Sequence, residues 1–183
     1  MQVSEMAIPD VKMLAPARHG DVRGFFSETW NGAALAAAGI VAEFVQDNHA
    51  LSRQAHTVRG LHWQAAPAEQ GKLIRVSRGA IFDVAVDLRG HSPTFGHHVS
   101  ATISEENWHQ VWIPPGFAHG YCTLAPDTEV IYKVTAPWEP KLERGLLWCD
   151  PDLAIDWPVD LSSAVLSPRD QSLPAFADFK VGR

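Results

Sequence analysis

Ala80-Ile81-Phe82-Asp83-Val84-Ala85-Val86-Asp87-Leu88, lying between Gly79 and Gly90, is the stretch on which the fold turns. Its alternation puts Phe82, Val84, Val86 and Leu88 on one face of an extended chain and Ile81, Asp83, Ala85 and Asp87 on the other. That is the period of a strand, not the 3.6 of a helix, with one apolar face for a core and one mixed face. The same period returns in Lys72-Leu73-Ile74-Arg75-Val76, at 98–103, and in Glu129-Val130-Ile131-Tyr132-Lys133-Val134, with turn residues between the runs. The 13 glycines and 13 prolines are scattered and cut the chain into short segments. Several short strands at this spacing predict an all-β sandwich or barrel. One helix is expected, with Asn31 as its cap, an alanine-rich stretch at 33–38 and Gly39 as its stop, and a shorter turn is expected from Ser104 with Glu105 and Glu106. After Trp157-Pro158 the alternation fades, so 162–183 is expected as an irregular cover or short helical turn over the body.

The chain has 183 residues, 46 % of them apolar, which suits one globular domain with a real core and argues against disorder. With no linker, internal repeat or low-complexity tract, a single domain spanning 1–183 is expected. Fifteen basic against 21 acidic residues give a formal charge of −6, and no Lys/Arg-rich run occurs, so neither nucleic acid nor a polybasic membrane contact is expected as partner. Cys122 and Cys149, without C-x-x-C spacing, make neither a disulfide framework nor a zinc ribbon and read as reduced thiols of a cytosolic protein. The N-terminal Met1-Gln2-Val3-Ser4-Glu5-Met6 lacks a basic stretch followed by an apolar one, and no long apolar run appears, so a soluble, non-exported protein is expected.

Two polar constellations stand out. The first, Arg59-Gly60-Leu61-His62-Trp63-Gln64, breaks at an Ala/Pro turn and resumes as Glu69-Gln70-Gly71-Lys72. A bulge at Gly60 would let Arg59 and His62 share a lumen despite their odd spacing, although a strand histidine taken alone is more often structural. The second, Trp112-Ile113-Pro114-Pro115-Gly116-Phe117-Ala118-His119-Gly120, is a strand end, a proline turn and a returning histidine. It resembles the second motif of the cupin superfamily, and His62 would belong to the first, in which two histidines one residue apart and a glutamate bind a metal. Gln64 stands at the second histidine's place and is a poor ligand for a divalent transition metal. A residual site of His62, Glu69 and His119 is the one metal arrangement left open.

The resemblance narrows further with Asp21-Val22-Arg23-Gly24-Phe25-Phe26-Ser27-Glu28, Phe44-Val45-Gln46-Asp47-Asn48, Arg59-Gly60-Leu61-His62, Gly71-Lys72-Leu73, Asp83-Val84-Ala85-Val86-Asp87-Leu88-Arg89, Ser92-Pro93-Thr94-Phe95-Gly96 and Ile131-Tyr132-Lys133. From about Val3 to about Phe179 the chain resembles the dTDP-4-dehydrorhamnose 3,5-epimerases, a metal-free branch of the cupins. The resemblance implies a cupin jelly roll with a few short helices, working in the cytoplasm on a dTDP-4-keto-6-deoxyhexose, on the way to rhamnose for cell-surface polysaccharide. The substrate's C4 ketone makes the hydrogens on C3 and C5 removable as protons, so no cofactor is implied. What inversion needs is a base on one side of the ring, an acid on the other and a group to hold the enolate oxygen.

His62 is the implied base, since free imidazole titrates at about 6.5. Asp170, in Leu166-Ser167-Pro168-Arg169-Asp170, is its implied partner, although Ser-Pro-Arg-Asp is also an ordinary helix start. Tyr132 is the implied acid, against the alternative of a strand aromatic with its hydroxyl at the rim. Lys72 would face the C4 oxygen, with His119 beside it. Arg23, Arg59, Gln46, Asp47, Asn48 and Arg169 fall at substrate-binding positions, as does Glu143. Phe26 and Glu28 match residues that reach the nucleoside from a partner subunit, which implies a homodimer whose site each subunit completes for the other.

Trp138 departs from the pattern, standing where many relatives have a tyrosine. It adds bulk and loses a phenol, so inversion of only C3 or only C5 on a related dTDP-4-keto sugar stays open. Cys149 sits where asparagine is common and is read as packing. Two other classes also stay open: a metal-dependent cupin oxygenase, and a sugar-binding jelly roll without catalysis.

Overall fold

A computed structural model of the chain describes residues 1–179. Along the chain the strands are β1 (Gln2–Glu5), β2 (Lys12–Ala15), β3 (His19–Asp21), β4 (Gly24–Phe26), then helix α1 (Gly32–Ala37), then β5 (Gln46–Ser52), β6 (Val58–Gln64), β7 (Lys72–Arg78) and β8 (Ala80–Asp87). They continue with β9 (His98–Ser104), β10 (Gln110–Ile113), β11 (Phe117–Thr123), β12 (Thr128–Val134) and β13 (Glu143–Gly145). Two antiparallel sheets result, one in the order β1-β2-β10-β7-β12-β5 and one in the order β13-β6-β11-β8-β9, while β3 and β4 form a separate hairpin. Consecutive strands such as β6 and β7 lie in different sheets, the crossing-over that makes a jelly roll out of alternating segments.

The period-two runs become strands where expected, with β7, β9 and β12 extending a residue or two beyond the quoted stretches. The expected helix forms as well: Asn31 Oδ1 accepts the Ala34 backbone N–H, and Gly39 leaves the helix at φ +80. At Ser104 the expected turn forms, with its hydroxyl accepting the backbone N–H of Glu106 and Asn107.

The two faces of β8 need a finer description than core and mixed, because both are buried. Ile81 and Ala85 join Ile74, Val76, Val111, Ile113 and Phe117 between the two sheets. Phe82, Val84, Val86 and Leu88 turn outward and are covered by Leu146, Trp148, Leu153 and Trp157 from the segment after β13. The tail is therefore half of a second core, not only a cover. Val165 closes it against the body by exchanging backbone hydrogen bonds with His56 and Val58, and Phe176 and Phe179 add aromatic contacts. Residues 180–183 of the expected cover lie outside the described residues.

Candidate active site

Between the sheets, toward the ends of β6 and β7, the apolar filling gives way to a cavity of about 280 Å³. His62 and His119 enter it from β6 and β11, where they sit opposite each other in the ladder. Lys72 and Tyr132 enter from β7 and β12 of the facing sheet. Arg59 also lines the cavity, which needs the bulge foreseen at Gly60. Three residues from Arg59 to His62 span the two from Tyr121 to His119, and Gly60 holds φ +125 with Gly120 packed where a side chain would stand.

Asp170 arrives from the tail and closes the cavity from outside the sheets. Its Oδ1 lies 2.5 Å from His62 Nε2, and its own backbone N–H donates to Ser167 Oγ at 3.1 Å. The two readings of Ser-Pro-Arg-Asp thus coexist, since the turn start is what aims the carboxylate. Burial works to raise the Asp170 carboxyl, but the hydrogen bond and charge of His62 outweigh it and hold the group below the usual carboxylate range. With an ionised acceptor at Nε2, that nitrogen carries the proton, and Nδ1 is left with the lone pair.

Lys72 is buried, with Nζ 3.4 Å from the His62 carbonyl oxygen. Desolvation pulls its ammonium down to about 8, against the opposing charges of Asp83 and Glu143. Burial likewise lowers His119, whose Nε2 lies 2.7 Å from Asp83 Oδ2. The Tyr132 phenol is raised by burial and stays protonated at neutral pH.

A rim surrounds these groups. Gln46 and Asn48 share the inner face of β5; Gln46 donates to Asn48 Oδ1 at 2.8 Å and accepts the Trp138 backbone N–H at 3.0 Å. The Trp138 indole is 59 % exposed and donates to Glu143 Oε2 at 3.3 Å, and Arg169 reaches the same oxygen at 2.8 Å. Burial would raise Glu143, but those donors and the Arg169 charge hold it below its ordinary value. The strand alternation turns the Asp47 side chain away, to the outer face, where it accepts from Lys133 Nζ at 2.9 Å. Arg23, Phe26 and Glu28 are also outside this cavity: they lie on or just after the β3–β4 hairpin, all exposed, with Arg23 paired to Asp21.

Gln64 and Glu69 are both committed away from a metal site with His62 and His119. Buried Gln64 is a latch: its amide donates to the Ala68 and Pro137 carbonyls and accepts the Glu139 backbone N–H. Glu69 lines a different cavity of about 660 Å³, walled by Trp63, Leu146, Pro174 and Phe179 on the tail side of β6. His62, Glu69 and His119 therefore do not converge, and among the described residues no three His, Cys, Asp or Glu side chains group as a metal site. The larger cavity has Glu69, Arg89, His91, Arg144 and Asp178 in its wall, whereas the smaller one brings His62, Lys72, His119, Tyr132 and Asp170 together.

Asp83 and Tyr121 escaped the reading of the sequence. Asp83 was visible as a charge between Ile81 and Ala85 on one strand face; Tyr121 lies one turn of the alternation beyond His119, its phenol pushed up to about 12 by burial.

Comparison with known proteins agrees with this geometry. The profile of the family described as dTDP-4-dehydrorhamnose 3,5-epimerase matches residues 5–178. A Pseudomonas aeruginosa protein of that name is 49 % identical over 179 residues, covering 97 % of each chain. The crystal structure of such an epimerase from Bacillus anthracis, with TDP and PPi bound, has a TM-score of 0.92 at 47 % identity, covering 95 % of this chain and 98 % of that one. A Legionella pneumophila epimerase in complex with dTDP-4-keto-L-rhamnose has a TM-score of 0.93 at 40 % identity, covering 98 % and 94 %.

Proposed function

The chain belongs to the dTDP-4-dehydrorhamnose 3,5-epimerase family, and from that premise we propose how its own residues divide the work. It is an isomerase that inverts C3 and C5 of dTDP-4-dehydro-6-deoxy-D-glucose to give dTDP-4-dehydro-L-rhamnose. The observation that carries the assignment is the placement of His62, held by Asp170 of the tail, and the Tyr132 phenol on facing sheets across one cavity. A hexose between the sheets meets a base on one side and an acid on the other.

His62 Nδ1 takes the proton from the carbon next to the ketone. The C–H electron pair moves into the ring as an enolate whose charge rests on the C4 oxygen. Asp170 keeps the Nε2 proton in place and stabilises the imidazolium that forms. Tyr132 gives its proton to the opposite face of the same carbon and is reprotonated from solvent; its raised pKa makes it a neutral donor beforehand. Lys72, as ammonium, faces the C4 oxygen, where one well-placed donor is worth about 3 kcal/mol. Arg59 and Arg169 bind the diphosphate, with Gln46, Asn48, Glu143 and Trp138 forming the rim toward the nucleoside. The Asp47 side chain, turned out to Lys133, takes no part in this rim.

We further propose a homodimer. Arg23, Phe26 and Glu28 are out of reach of their own cavity, and Phe26 is 71 % exposed on a projecting hairpin, as suits residues that complete a partner's site. Among the described residues no helix is long and apolar enough to cross a membrane. We place the enzyme in the cytoplasm, as one domain over 1–183.

The test is solvent exchange. In heavy water the 4-keto sugar nucleotide is expected to gain deuterium at both C3 and C5, seen as loss of two proton resonances. His62→Ala is expected to abolish that gain while dTDP still binds with near wild-type affinity by calorimetry. Label at one carbon only, or exchange that persists without the imidazole, would sink the assignment.

A further inference from the structure

Asp83 is a buried carboxylate that the division of labour above does not use. It projects from β8 into the interior between Ile81 and Ala85, is 2 % exposed, and holds His119 Nε2 at 2.7 Å. It is also one of two acids whose charge acts on buried Lys72, and His119, which it holds, lines the same cavity as that lysine. A carboxylate in such a place costs several kcal/mol unless paired, and nothing in the packing of Ile81 and Ala85 calls for it.

Resting on the epimerase reading, we propose that Asp83 is a positioning residue: its charge beside Lys72 keeps the donor that faces the substrate's C4 oxygen cationic, and its carboxylate fixes His119 next to it. The argument is one of opposing forces. Lys72 enters an interior that favours neutral amine, and a neutral amine is a weak partner for an enolate. The groups that face it from the surrounding elements are Asp83 on β8, Glu143 on β13, Arg59 and His62 on β6, His119 and Tyr121 on β11, Tyr132 on β12, and Arg169 and Asp170 from the tail. Of these, Asp83 and Glu143 favour the ammonium; Asp170 is committed to His62, and the guanidiniums of Arg59 and Arg169 oppose it. Glu143 is already engaged by Arg169 and Trp138, whereas Asp83 meets only His119 among the described residues. Asp83 is therefore the counter-charge the cavity keeps for its lysine. The Nε2 proton of His119 points into that carboxylate, so His119 contributes by packing beside Lys72 and as an acceptor at Nδ1, not as a second proton donor to the enolate.

Asp83→Asn tests this cleanly, because the amide oxygen still accepts the imidazole proton and only the charge is lost. In the wild type, with Lys72 at about 8, kcat is expected to fall on the alkaline side around that pH. In the variant that limb is expected to move down by about one pH unit, and kcat at pH 8 to fall about fivefold as the ammonium fraction drops, while dTDP affinity holds. A limb that stays at its wild-type position, whatever the absolute rate, would overturn the proposal, since a merely structural role predicts loss at every pH alike. If that variant does not fold, Asp83→Glu replaces it: the charge is kept but set one methylene further out, so the rate drops while the alkaline limb stays, and a displaced limb there would overturn it equally. Deuterium gain by the wild type in the same buffer separates this outcome from failure of the epimerase reading itself.

Discussion

Asp83 and Asp87 stand on the same strand and the same face, four residues apart, both almost wholly buried, yet they do opposite things. Asp87 is saturated. It takes the Arg89 backbone N–H at 3.0 Å, Arg89 Nε at 2.9 Å and Nη2 at 2.7 Å, the Ser92 hydroxyl at 2.6 Å and the Thr94 hydroxyl at 2.7 Å. Arg89 in turn sits over the Phe117 ring, its Cζ 4.6 Å from the centroid, and reaches Asp10. Asp83, by contrast, has one hydrogen-bond partner among the described residues, His119, and that partner lines a cavity, as the His62–Asp170 pair does. A polar cluster that satisfies itself ties a loop; one that leaves valences and space unfilled awaits a ligand.

That contrast can be broken by removing charge from each cluster in turn. The largest effect is expected in the cavity. Asp170→Asn leaves the side-chain volume unchanged but presents an amide where an ionised acceptor is needed, so the His62 tautomer is no longer held. We expect kcat to drop about a thousandfold or more, with the thermal midpoint moving by no more than a few degrees, measured by coupled assay and calorimetry on one preparation. A large stability loss with little kinetic change would place this pair in the same category as Asp87.

The next effect is expected at the closed cluster and in the other observable. Asp87→Asn takes the buried one of its two counter-charges from half-buried Arg89, leaving only exposed Asp10, and puts an amide where a saturated acceptor stood, which should cost about 3 kcal/mol in urea unfolding. The activity of the variant that remains folded, measured well below its midpoint, is expected to stay within about twofold of the wild type. Retained stability would show that the Ser92 and Thr94 hydroxyls alone close the loop.

Much of this was legible in the chain, and the failures have physical causes. Period two located β7, β8, β9 and β12, because a strand with one solvent-blind face writes that face into every second residue. It could not tell which buried face meets the other sheet and which meets the tail, since both demand apolar side chains. Trp148, Trp157, Phe176 and Phe179 were the sign that the tail builds a core of its own. The same blindness hid Asp83 on what looked like a mixed face. For the site, His62, Lys72, His119 and Tyr132 come from four strands in two sheets, and no local spacing joins them; the likeness to a family supplied the set, and the sandwich supplied the convergence. Where spacing did apply, it corrects that set, since alternation along β5 puts Gln46 and Asn48 inward and Asp47 out. Glu69 seemed near His62 only in sequence, because the turn after β6 carries it to the far side of the sheet.

The smallest expected effect is also the one that separates the two clusters by pH alone. Burial would raise the Asp87 carboxyl, but Arg89, Ser92 and Thr94 overcome it and hold the group far below its ordinary value in the folded chain. A folded-state pKa below the unfolded one means that the group binds fewer protons when folded. Its stabilisation is therefore complete above the unfolded value of about 4 and declines as acid titrates the unfolded carboxyl first. The difference in unfolding free energy between wild type and Asp87→Asn should then be full at pH 6 and smaller at pH 3, by about 1 kcal/mol. Urea titrations of both proteins at the two pH values measure it. A gap that stays constant would mean that the Asp87 contribution is shape and hydrogen bonding that the amide equally lacks, not charge, and the line drawn between a closed ionic cluster and an open one would have to be redrawn on geometry alone.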